Sequence, residues 1–409
     1  MSLQQIAKQE FNKQKENAAS NQLFSLQEKA FAEFEKIGFP TLKHEEWKYT
    51  NLKPITEGNF VVNHATNADC KAIIAQSVYS KLNAHLLVFI NGDFSSDLSF
   101  IKQEASTITM STLLEARTQK HQAFETHFGK YAKIENQALN ALNTALLHDG
   151  AFIHIPSGQK LELPIVVLNI ADTTEDTALI QPRNLIVVEK NAEAFVIEAY
   201  LNIGSQSSFT NVVNEIFVGE NAHLEHYKIQ QEVGETYQNN FTQIFQEANT
   251  NINQVTLMLD GLFIRNNLHF YMNGQNCNSL LYGLYILDKQ NFVDNHSLVD
   301  HASPNCFSDE KYKGILMDKS TAVFNGKIIV HPDAQKTNAY QRNQNVLLSN
   351  DATVNTKPQL EIFADDVKCT HGATIGQLDE EPMFYMRSRG ITEDTARKML
   401  LNAFANDIA

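Results

Sequence analysis

The stretch Lys190-Asn191-Ala192-Glu193-Ala194-Phe195-Val196-Ile197 decides the fold: a polar turn ending in Ala192 leads directly into a β-rich apolar run. The same turn-plus-alanine unit recurs as Glu220-Asn221-Ala222, and a further pair ends at Ala322 and Ala352, so that each pair has a step of 30 residues. Asn-rich turns at a steady period favour a stacked β-solenoid, in which each coil buries its apolar face on the next coil. Asn and Gln side chains can also stack on themselves from coil to coil.

Residues 151–376 form a β-rich region. Short apolar runs such as residues 165–168, 185–188 and 327–330 alternate with Asn, Gly, Asp and Ser turns, and no amphipathic helix interrupts them. This pattern predicts a mainly β protein with a solenoid core. A large antiparallel sandwich or barrel is the competing interpretation, although its strands would follow one another at shorter intervals.

Two segments within the first 150 residues are predicted to be helical, because apolar residues recur at helical spacing over residues 1–37 and again over residues 111–148. Between these segments, residues 82–94 have the pattern of a strand that runs into a turn, and Trp47 is interpreted as a local packing anchor. Near the C-terminus, Thr392 is a predicted helix N-cap. The chain is thus divided into a mostly helical N-terminal domain with a short strand region (1–150), a β-helix core (151–376) and a C-terminal helical segment (377–409).

Composition and charge limit the classes of protein to which the chain can belong. It has 409 residues and a formal net charge of −14, which argues against nucleic-acid binding because phosphate contacts need clustered Lys and Arg. There is no run of about 18 apolar residues that would span a membrane, and no secretory signal at the start. Four widely separated cysteines are typical of a reducing compartment. We therefore expect a cytoplasmic protein that binds neither nucleic acid nor membrane.

Several common catalytic motifs are absent from the sequence. There is no Gly-x-x-x-x-Gly-Lys-Ser/Thr phosphate loop, no strand-linked Gly-x-Gly-x-x-Gly, no Cys-x-x-Cys and no Gly-x-Ser-x-Gly elbow. ATP hydrolysis by a P-loop, a dinucleotide fold, a zinc ribbon and a nucleophile elbow are therefore not indicated.

Cys369 and His371 are the residues whose chemistry is most informative. They follow a strand-like run over residues 359–364, and residues i and i+2 of a strand project from the same face. Gly372 would allow another backbone to come close. A thiol and an imidazole side by side can bind a soft metal or a sulfur atom, and a buried cysteine beside a turn histidine explains the pattern equally well.

Other potential ligands form weaker patterns. His296, His301 and Cys306 recur at five-residue steps, which is not a known zinc spacing, and half-buried structural roles explain them better. His223 and His226 have odd spacing and are expected to face opposite sides of a strand, so that they do not act as a pair.

Longer stretches resemble a known family. Cys369-Thr370-His371-Gly372-Ala373-Thr374, followed by residues 383–391, looks like the C-terminal signature of SufD-type members of the SufB/SufD family, which are scaffold subunits of the SUF system for iron–sulfur cluster assembly. Residues 40–50, 138–158 and 355–361 are similar to other motifs of the family, so the resemblance spans most of the chain. SufB-type members are longer and usually have Glu-Ala after the histidine, and both differences point to the SufD type.

The resemblance implies a right-handed parallel β-helix (solenoid) core with helical N-terminal and C-terminal parts. It also implies pairing with a SufB-like paralogue, while each of the two subunits binds one copy of the SufC ATPase and a nascent cluster is built at their interface. No enzymatic activity and no cofactor are expected of the isolated chain; a transient iron–sulfur cluster is expected in the complex, where a flavin is left open. Alone, the chain is expected to form a homodimer.

The resemblance also assigns roles to single residues. His371 corresponds to the residue implicated at the cluster assembly interface and Cys369 is the weaker candidate, both as transient metal ligands completed by a partner. SufC would dock on the helix over residues 392–409 and on the approach to it, which predicts six docking residues: Arg387, Arg389, Thr392, Met399, Leu400 and Phe404. The family pattern usually continues with further helical residues after residue 409.

Three hypotheses follow from the sequence. The leading one is a non-catalytic scaffold for iron–sulfur cluster assembly. The second is an intracellular β-helix carbohydrate-active enzyme, such as a lyase or hydrolase working in a long groove. The third is a zinc-binding structural protein that uses Cys369, His371 and part of the segment over residues 296–306.

Overall fold

The computed structural model describes residues 1–17, 22–62, 70–102 and 107–408 of the chain. The described helices are α1 (Leu3–Asn17), α2 (Gln22–Ile37), α3 (Lys53–Thr56), α4 (Cys70–Gln76), α5 (Leu113–Thr118), α6 (Gln122–His127), α7 (Ala138–Ala145), α8 (Glu380–Ser388) and α9 (Glu393–Ala405). Two short 3-10 turns cover Glu45–Trp47 and Val78–Lys81. No described helix is long and apolar enough to cross a membrane.

The described strands make two long sheets. In chain order they are β1 (His85–Ile90), β2 (Asp93–Phe94), β3 (Thr109–Thr112), β4 (Ala151–Ile155), β5 (Ile165–Thr173), β6 (Ala178–Ile180), β7 (Arg183–Val188), β8 (Glu193–Gly204), β9 (Ser208–Val218), β10 (His223–Gln231), β11 (Thr236–Gln246), β12 (Asn251–Asp260), β13 (Phe263–Met272), β14 (Asn278–Leu287), β15 (Phe292–His301), β16 (Phe307–Leu316), β17 (Thr321–Val330), β18 (Asn338–Leu347), β19 (Thr353–Thr356), β20 (Gln359–Ile362) and β21 (Lys368–Gly376). Sheet A has the order β2-β1-β5-β8-β10-β12-β14-β16-β18-β21, and sheet B the order β3-β4-β7-β9-β11-β13-β15-β17-β19, with β6 on β9 and β20 on β17.

From β7 onward the chain alternates between the two sheets, and each strand pairs in parallel with the strand one coil away. This arrangement is a β-solenoid of about eight turns, which confirms the mainly β prediction. The predicted spacing of 30 residues between equivalent positions of successive coils is correct at the first pair of turns, where Leu224 pairs with Ala194. It is wrong at the second pair of turns, because Ala322 pairs with Val354 and not with Ala352.

One corner of the solenoid repeats the same turn in successive coils. A residue in the left-handed region, with φ between 57° and 61°, occupies the same place in six coils: Asn191, Asn221, Asn249, Asn276, Asn305 and Lys336. Asn tolerates this conformation better than most residues. The Nδ2 of Asn221 donates to the Oδ1 of Asn191 at 2.9 Å, and Asn276 makes the same 2.9 Å bond to Asn249. The predicted stacking of Asn on Asn is therefore confirmed.

The interior of the middle coils contains charged side chains. Glu198 accepts hydrogen bonds from Tyr200 Oη and Asn214 Nδ2 at 2.9 and 3.0 Å, and His226 Nε2 lies 2.9 Å from its other oxygen. Burial would raise the pKa of Glu198, but Lys228 and His226 beside it lower that pKa to about 2. The interior therefore combines apolar clusters with a buried ionic network. His223 lies on the outer face of the same strand as His226, as predicted.

Helices cover the outer face of sheet B at the N-terminal end. Phe11 of α1 stacks on Phe31 of α2 with ring centroids 4.1 Å apart, and both belong to one buried cluster with Leu142 of α7 and Phe209 of β9. The predicted helix over residues 111–148 is broken into α5, α6 and α7. Lys120, with φ of 52°, lies between the first two.

Strands from the first 150 residues pair directly with the solenoid, since β1 pairs with β5 and β3 with β4. The pattern over residues 82–94 is confirmed as strand β1 turning into β2. The division of the chain at residues 150 and 376 stays a prediction.

Close stacking of coils predicts the effect of one substitution. A Cβ added at Gly274 would lie 2.1 Å from the backbone nitrogen of Ala248 in the neighbouring coil, whereas a Cβ at Gly376 meets nothing within 4 Å. We expect Gly274→Ala to lower the free energy of unfolding by about 1–3 kcal/mol, and Gly376→Ala to change it by less than about 0.5 kcal/mol. Chemical denaturation measures both, and equal effects of the two variants would contradict the stacking geometry.

Candidate functional site at the open end of the solenoid

The last coil of the solenoid is uncovered. Strand β21 pairs with β18 on one side, and no other described strand pairs with its opposite side. Eight of its nine residues are exposed, and the half-buried Cys369 is the exception. A long, exposed edge strand presents unpaired backbone N–H and C=O groups and is a template for pairing with another chain. We call β20, β21 and the residues between them the open end.

The register of β21 fixes where Cys369 and His371 point. Cys369 pairs with Ala339 and His371 with Gln341, and both partners are fully buried residues of the solenoid interior. The predicted common face of the two side chains is therefore confirmed, and that face continues the interior of the solenoid. In an inner coil, the next coil would stack on residues at these positions. No further coil follows β21 among the described residues.

The Cys369 thiol is half-buried against the main apolar core of the solenoid. Burial raises the pKa of this thiol above its usual range. The thiolate, which binds metal ions and sulfur, is therefore disfavoured in the isolated chain. Lys368 precedes Cys369 and projects from the opposite face of the strand, so it does not offset this effect.

His371 is exposed, and its imidazole makes no hydrogen bond with any described residue. Directly beneath it in register are Gln341 of β18 and Glu310 of β16. Gln341 Nε2 donates to Glu310 Oε2 at 2.7 Å, and burial raises the pKa of Glu310 to about 7. The two side chains below His371 in register are therefore polar and fully buried.

Several large apolar side chains near the C-terminal end of the solenoid are exposed. Phe363 after β20 and Ile375 of β21 are 62% and 47% exposed, and Phe384 of the next helix is 74% exposed. A Cβ at Gly372 would meet no atom of the described residues within 4 Å, although Gly372 itself pairs with Arg342 of β18. Exposed large apolar side chains of this kind are typical of a protein–protein interface.

The six predicted docking residues lie in α8, α9 and the turn between them. Thr392 is the N-cap of α9, as predicted, because its Oγ1 accepts from Thr395 N at 3.3 Å. Arg387 is 3.3 Å from Glu393, and Arg389 lies over the Tyr385 ring at 5.3 Å. The remaining three differ in exposure: Met399 is exposed, whereas Leu400 and Phe404 are half-buried.

The end of α9 is attached to the outer face of the solenoid. Asp407 accepts a hydrogen bond from Lys313 Nζ at 2.6 Å and also pairs with Lys311 of the same strand. Lys313 Nζ additionally lies 4.6 Å from the centre of the Phe404 ring. The helix is therefore anchored at its C-terminal end, whereas Met399 faces solvent.

Half-buried structural roles are the better explanation for His296, His301 and Cys306, and the three do not form one cluster in the structure. His296 lies on the outer face of β15, where its nitrogens are 3.0 Å from Asp294 and 3.2 Å from Glu46. His301 faces the interior and contacts Ser308 at 3.0 Å, because odd spacing places the two histidines on opposite faces. Among the described residues, no three His, Cys, Asp or Glu side chains are arranged to hold a metal ion.

A second charged cluster was not indicated by the sequence. The Arg265 guanidinium lies 3.7 Å above the Trp47 ring and pairs with the buried Asp294, which adjoins His296. Trp47, Arg265 and His296 line part of a cleft of about 660 Å³ between the segment around Trp47 and the outer face of sheet B. The interpretation of Trp47 as a packing anchor therefore missed its cationic partner, which is distant in sequence.

Comparison with known families bears on this combination of solenoid and open end. A family model described as the SufBD core domain of the SUF system for FeS cluster assembly matches residues 169–404, and one described as the SufBD protein N-terminal region matches residues 4–167. The chain belongs to the SufBD family. The resemblance found in the sequence is thereby confirmed.

Individual SufBD relatives match along most of their length. An iron–sulfur cluster assembly SufBD family protein of Synechocystis is 34% identical over 381 residues, which cover 91% of this chain and 83% of the relative. The iron–sulfur cluster assembly protein SufD of Escherichia coli is 31% identical over 375 residues, 91% of this chain and 85% of the relative. SufD of Bacillus subtilis is 24% identical over 88% of this chain and 83% of the relative.

The buried carboxyl beneath His371 makes stability depend on pH. The pKa of Glu310 is raised to about 7 in the folded chain, whereas an unfolded Glu has a pKa of about 4.3. The folded chain therefore keeps a proton that the unfolded chain loses, and the resulting stability is complete below the unfolded pKa and is lost as pH rises through about 7. We expect Glu310→Gln to reduce the loss of unfolding free energy between about pH 5 and pH 8 by on the order of 2 kcal/mol.

Denaturant titrations at several pH values test this expectation. Glu232, whose pKa burial raises to about 8, contributes in the same direction in both proteins, so the relevant quantity is the difference between variant and wild type. Glu235→Gln, at an exposed glutamate, serves as the control. If the unfolding free energies of Glu310→Gln and wild type changed with pH in the same way, the prediction would be contradicted.

Proposed function

We propose that this chain is a non-catalytic, cytoplasmic scaffold subunit for iron–sulfur cluster assembly, which pairs through the open end with a SufB-like paralogue. The observation that carries the proposal is the uncovered last coil, on which the exposed His371 and the half-buried Cys369 share the face that continues the solenoid interior. Membership of the SufBD family supports the proposal.

The chemistry of the pair fits a shared site. Clusters are usually held by four ligands, so that one thiol and one imidazole supply half of a set. The other half would come from the partner, and iron and sulfide would be substrates delivered to the interface. Because burial raises the pKa of the Cys369 thiol, its ionisation needs a metal ion or a cation from outside this chain. His371, which has no hydrogen-bond partner among the described residues, is the group that is ready to bind.

Pairing would occur along β21. A strand of the partner can satisfy its unpaired backbone groups, while Ile375 and Phe363 contribute apolar area on either side. The same edge can accept a second copy of this chain when the paralogue is absent. We therefore propose that the isolated chain forms a homodimer through the open end.

The SufC ATPase would dock on α8 and α9. Three apolar side chains, Phe384, Tyr385 and Met399, are exposed there beside two arginines, Arg387 and Arg389. Strand β21 continues into α8 through residues 377–379 only. A displacement of α8 by the ATPase would therefore act on the strand that carries Cys369 and His371.

The first test concerns His371. His371→Ala in a complex co-expressed with SufB-like and SufC-like partners is expected to reduce cluster formation at least tenfold, measured by visible absorbance and acid-labile sulfide. Because the imidazole has no hydrogen-bond partner in the described part of the chain, the same change should alter the unfolding free energy of the isolated chain by less than about 0.5 kcal/mol.

His331→Ala is the matched control, because His331 is also a partly exposed histidine of the solenoid but lies against Asp300. It should leave cluster formation intact. Unchanged cluster formation in His371→Ala would show that this residue has no role in assembly.

A second test separates the two partner surfaces. Ile375→Asp places a charge on the open end and is expected to abolish pairing with the SufB-like subunit and homodimer formation, while SufC binding persists. Met399→Asp changes the exposed face of α9 and is expected to abolish SufC binding alone.

Size-exclusion chromatography with light scattering and pull-down assays measure both losses, and each variant is the control for the other. Val233→Asp, at an exposed apolar residue elsewhere on the solenoid, should affect neither interaction. Loss of both partners in either variant would argue against separate surfaces.

A further inference from the structure

Cys277 and Cys306 occupy equivalent places in two successive coils. Each follows the left-handed asparagine of the corner, Asn276 or Asn305, and each precedes a strand of sheet A. The two strands pair in parallel, and Phe307 N, next to Cys306, donates to the Cys277 carbonyl at 2.8 Å. Neighbouring strands lie about 4.8 Å apart. That spacing is within the Cα separation that a disulfide requires, about 4.4–6.8 Å.

The two sulfur atoms converge on one backbone carbonyl. Cys277 Sγ is 3.1 Å from Gly274 O, and Cys306 Sγ is 3.4 Å from the same oxygen. Both side chains therefore point into the same space beneath the corner. The interaction between the two side chains lowers the pKa of Cys277, although burial acts in the opposite direction, and it raises the pKa of Cys306, as burial does.

The other two cysteines are placed differently. Cys70 lies in α4, and Cys369 lies in the last coil, where its neighbour in register is Ala339. None of the four forms a disulfide in this structure. The stacked pair is thus distinguished from Cys70 and Cys369 by position alone.

We propose that Cys277 and Cys306 are a redox-active pair that forms a disulfide between successive coils on reaction with a peroxide. The Cys277 thiolate attacks one oxygen of hydrogen peroxide, the O–O bond breaks, and a sulfenic acid and hydroxide form. The Cys306 thiol then attacks the sulfenic sulfur, a sulfur–sulfur bond forms, and the oxygen leaves as water. Two thiols and one peroxide thus give one disulfide and two water molecules. This inference is independent of the proposed function.

Burial selects the oxidant. The side chains are 1% and 0% exposed, yet they lie directly below the exposed corner residues Gln275, Asn276 and Asn305. A small peroxide can reach such a site through local opening of a turn, whereas a bulky disulfide such as oxidised glutathione is excluded. The product would tie one coil to the next and restrict the unfolded chain, so that thermal unfolding shifts to higher temperature.

Peptide mapping tests the proposal directly. The reduced full-length protein is treated with hydrogen peroxide, alkylated after unfolding and digested with trypsin. Cleavage after Arg265, Lys289 and Lys311 separates Cys277 from Cys306, so the disulfide is expected to join the peptides of residues 266–289 and 290–311. The intact protein should lose about 2 Da, the mass of two hydrogen atoms, and its thermal midpoint should rise and return on reduction.

Variants and a denatured control define the outcome. Cys277→Ser and Cys306→Ser should each abolish the mass change and the thermal shift, whereas Cys70→Ser and Cys369→Ser should retain both. When the denatured chain is treated with the same oxidant, the disulfide should no longer form preferentially between Cys277 and Cys306. The proposal is overturned if both cysteines of the oxidised wild type remain open to alkylation, or if the disulfide involves Cys70 or Cys369. Mapping of the wild type decides the question even if a serine variant does not fold.

Discussion

Stacking of one coil on the next is the constraint on which the rest of this structure depends. Backbone hydrogen bonds of β21 go to β18, those of β18 to β16 and so on, so each coil is completed only by its neighbours. At the N-terminal end, the antiparallel strands β2 and β3 close the two sheets. At the C-terminal end the described residues contain no such closure, and interior-facing side chains of the last coil are exposed. The candidate site is therefore a consequence of how the stack ends.

The sequence predicted the features that repeat, because repetition is visible without tertiary contacts. Asn191 and Asn221 mark the corner at the correct step, and the spacing of Cys369 and His371 placed both on one face. Features that depend on distant contacts could not be predicted. Insertions change the step between coils, so Ala322 pairs with Val354. Packing on the solenoid allows three short helices where the apolar period suggested one, and Arg265 meets Trp47 only in the folded chain.

The polar interior requires a physical explanation, since burial of Glu198 and Lys228 costs more than burial of apolar residues of similar size. Hydrogen bonds from Tyr200 and Asn214 satisfy the carboxylate, and a slip of register by one residue would turn these groups to the outside. We infer that the ionic network selects one register among many similar ones. Glu310 and Gln341 form a separate buried polar pair near the open end, and His371 follows them in register.

Three thiols of the solenoid show how position in the stack decides chemistry. Cys277 and Cys306 lie in consecutive inner coils, so that each has the other as its nearest reactive neighbour. Cys369 lies in the last coil, where no described strand pairs with the free edge of β21. The two proposals thus give the same side chain an intramolecular bond inside the stack and an intermolecular site at its end. Burial raises the pKa of the Cys369 thiol and therefore disfavours its thiolate in the isolated chain.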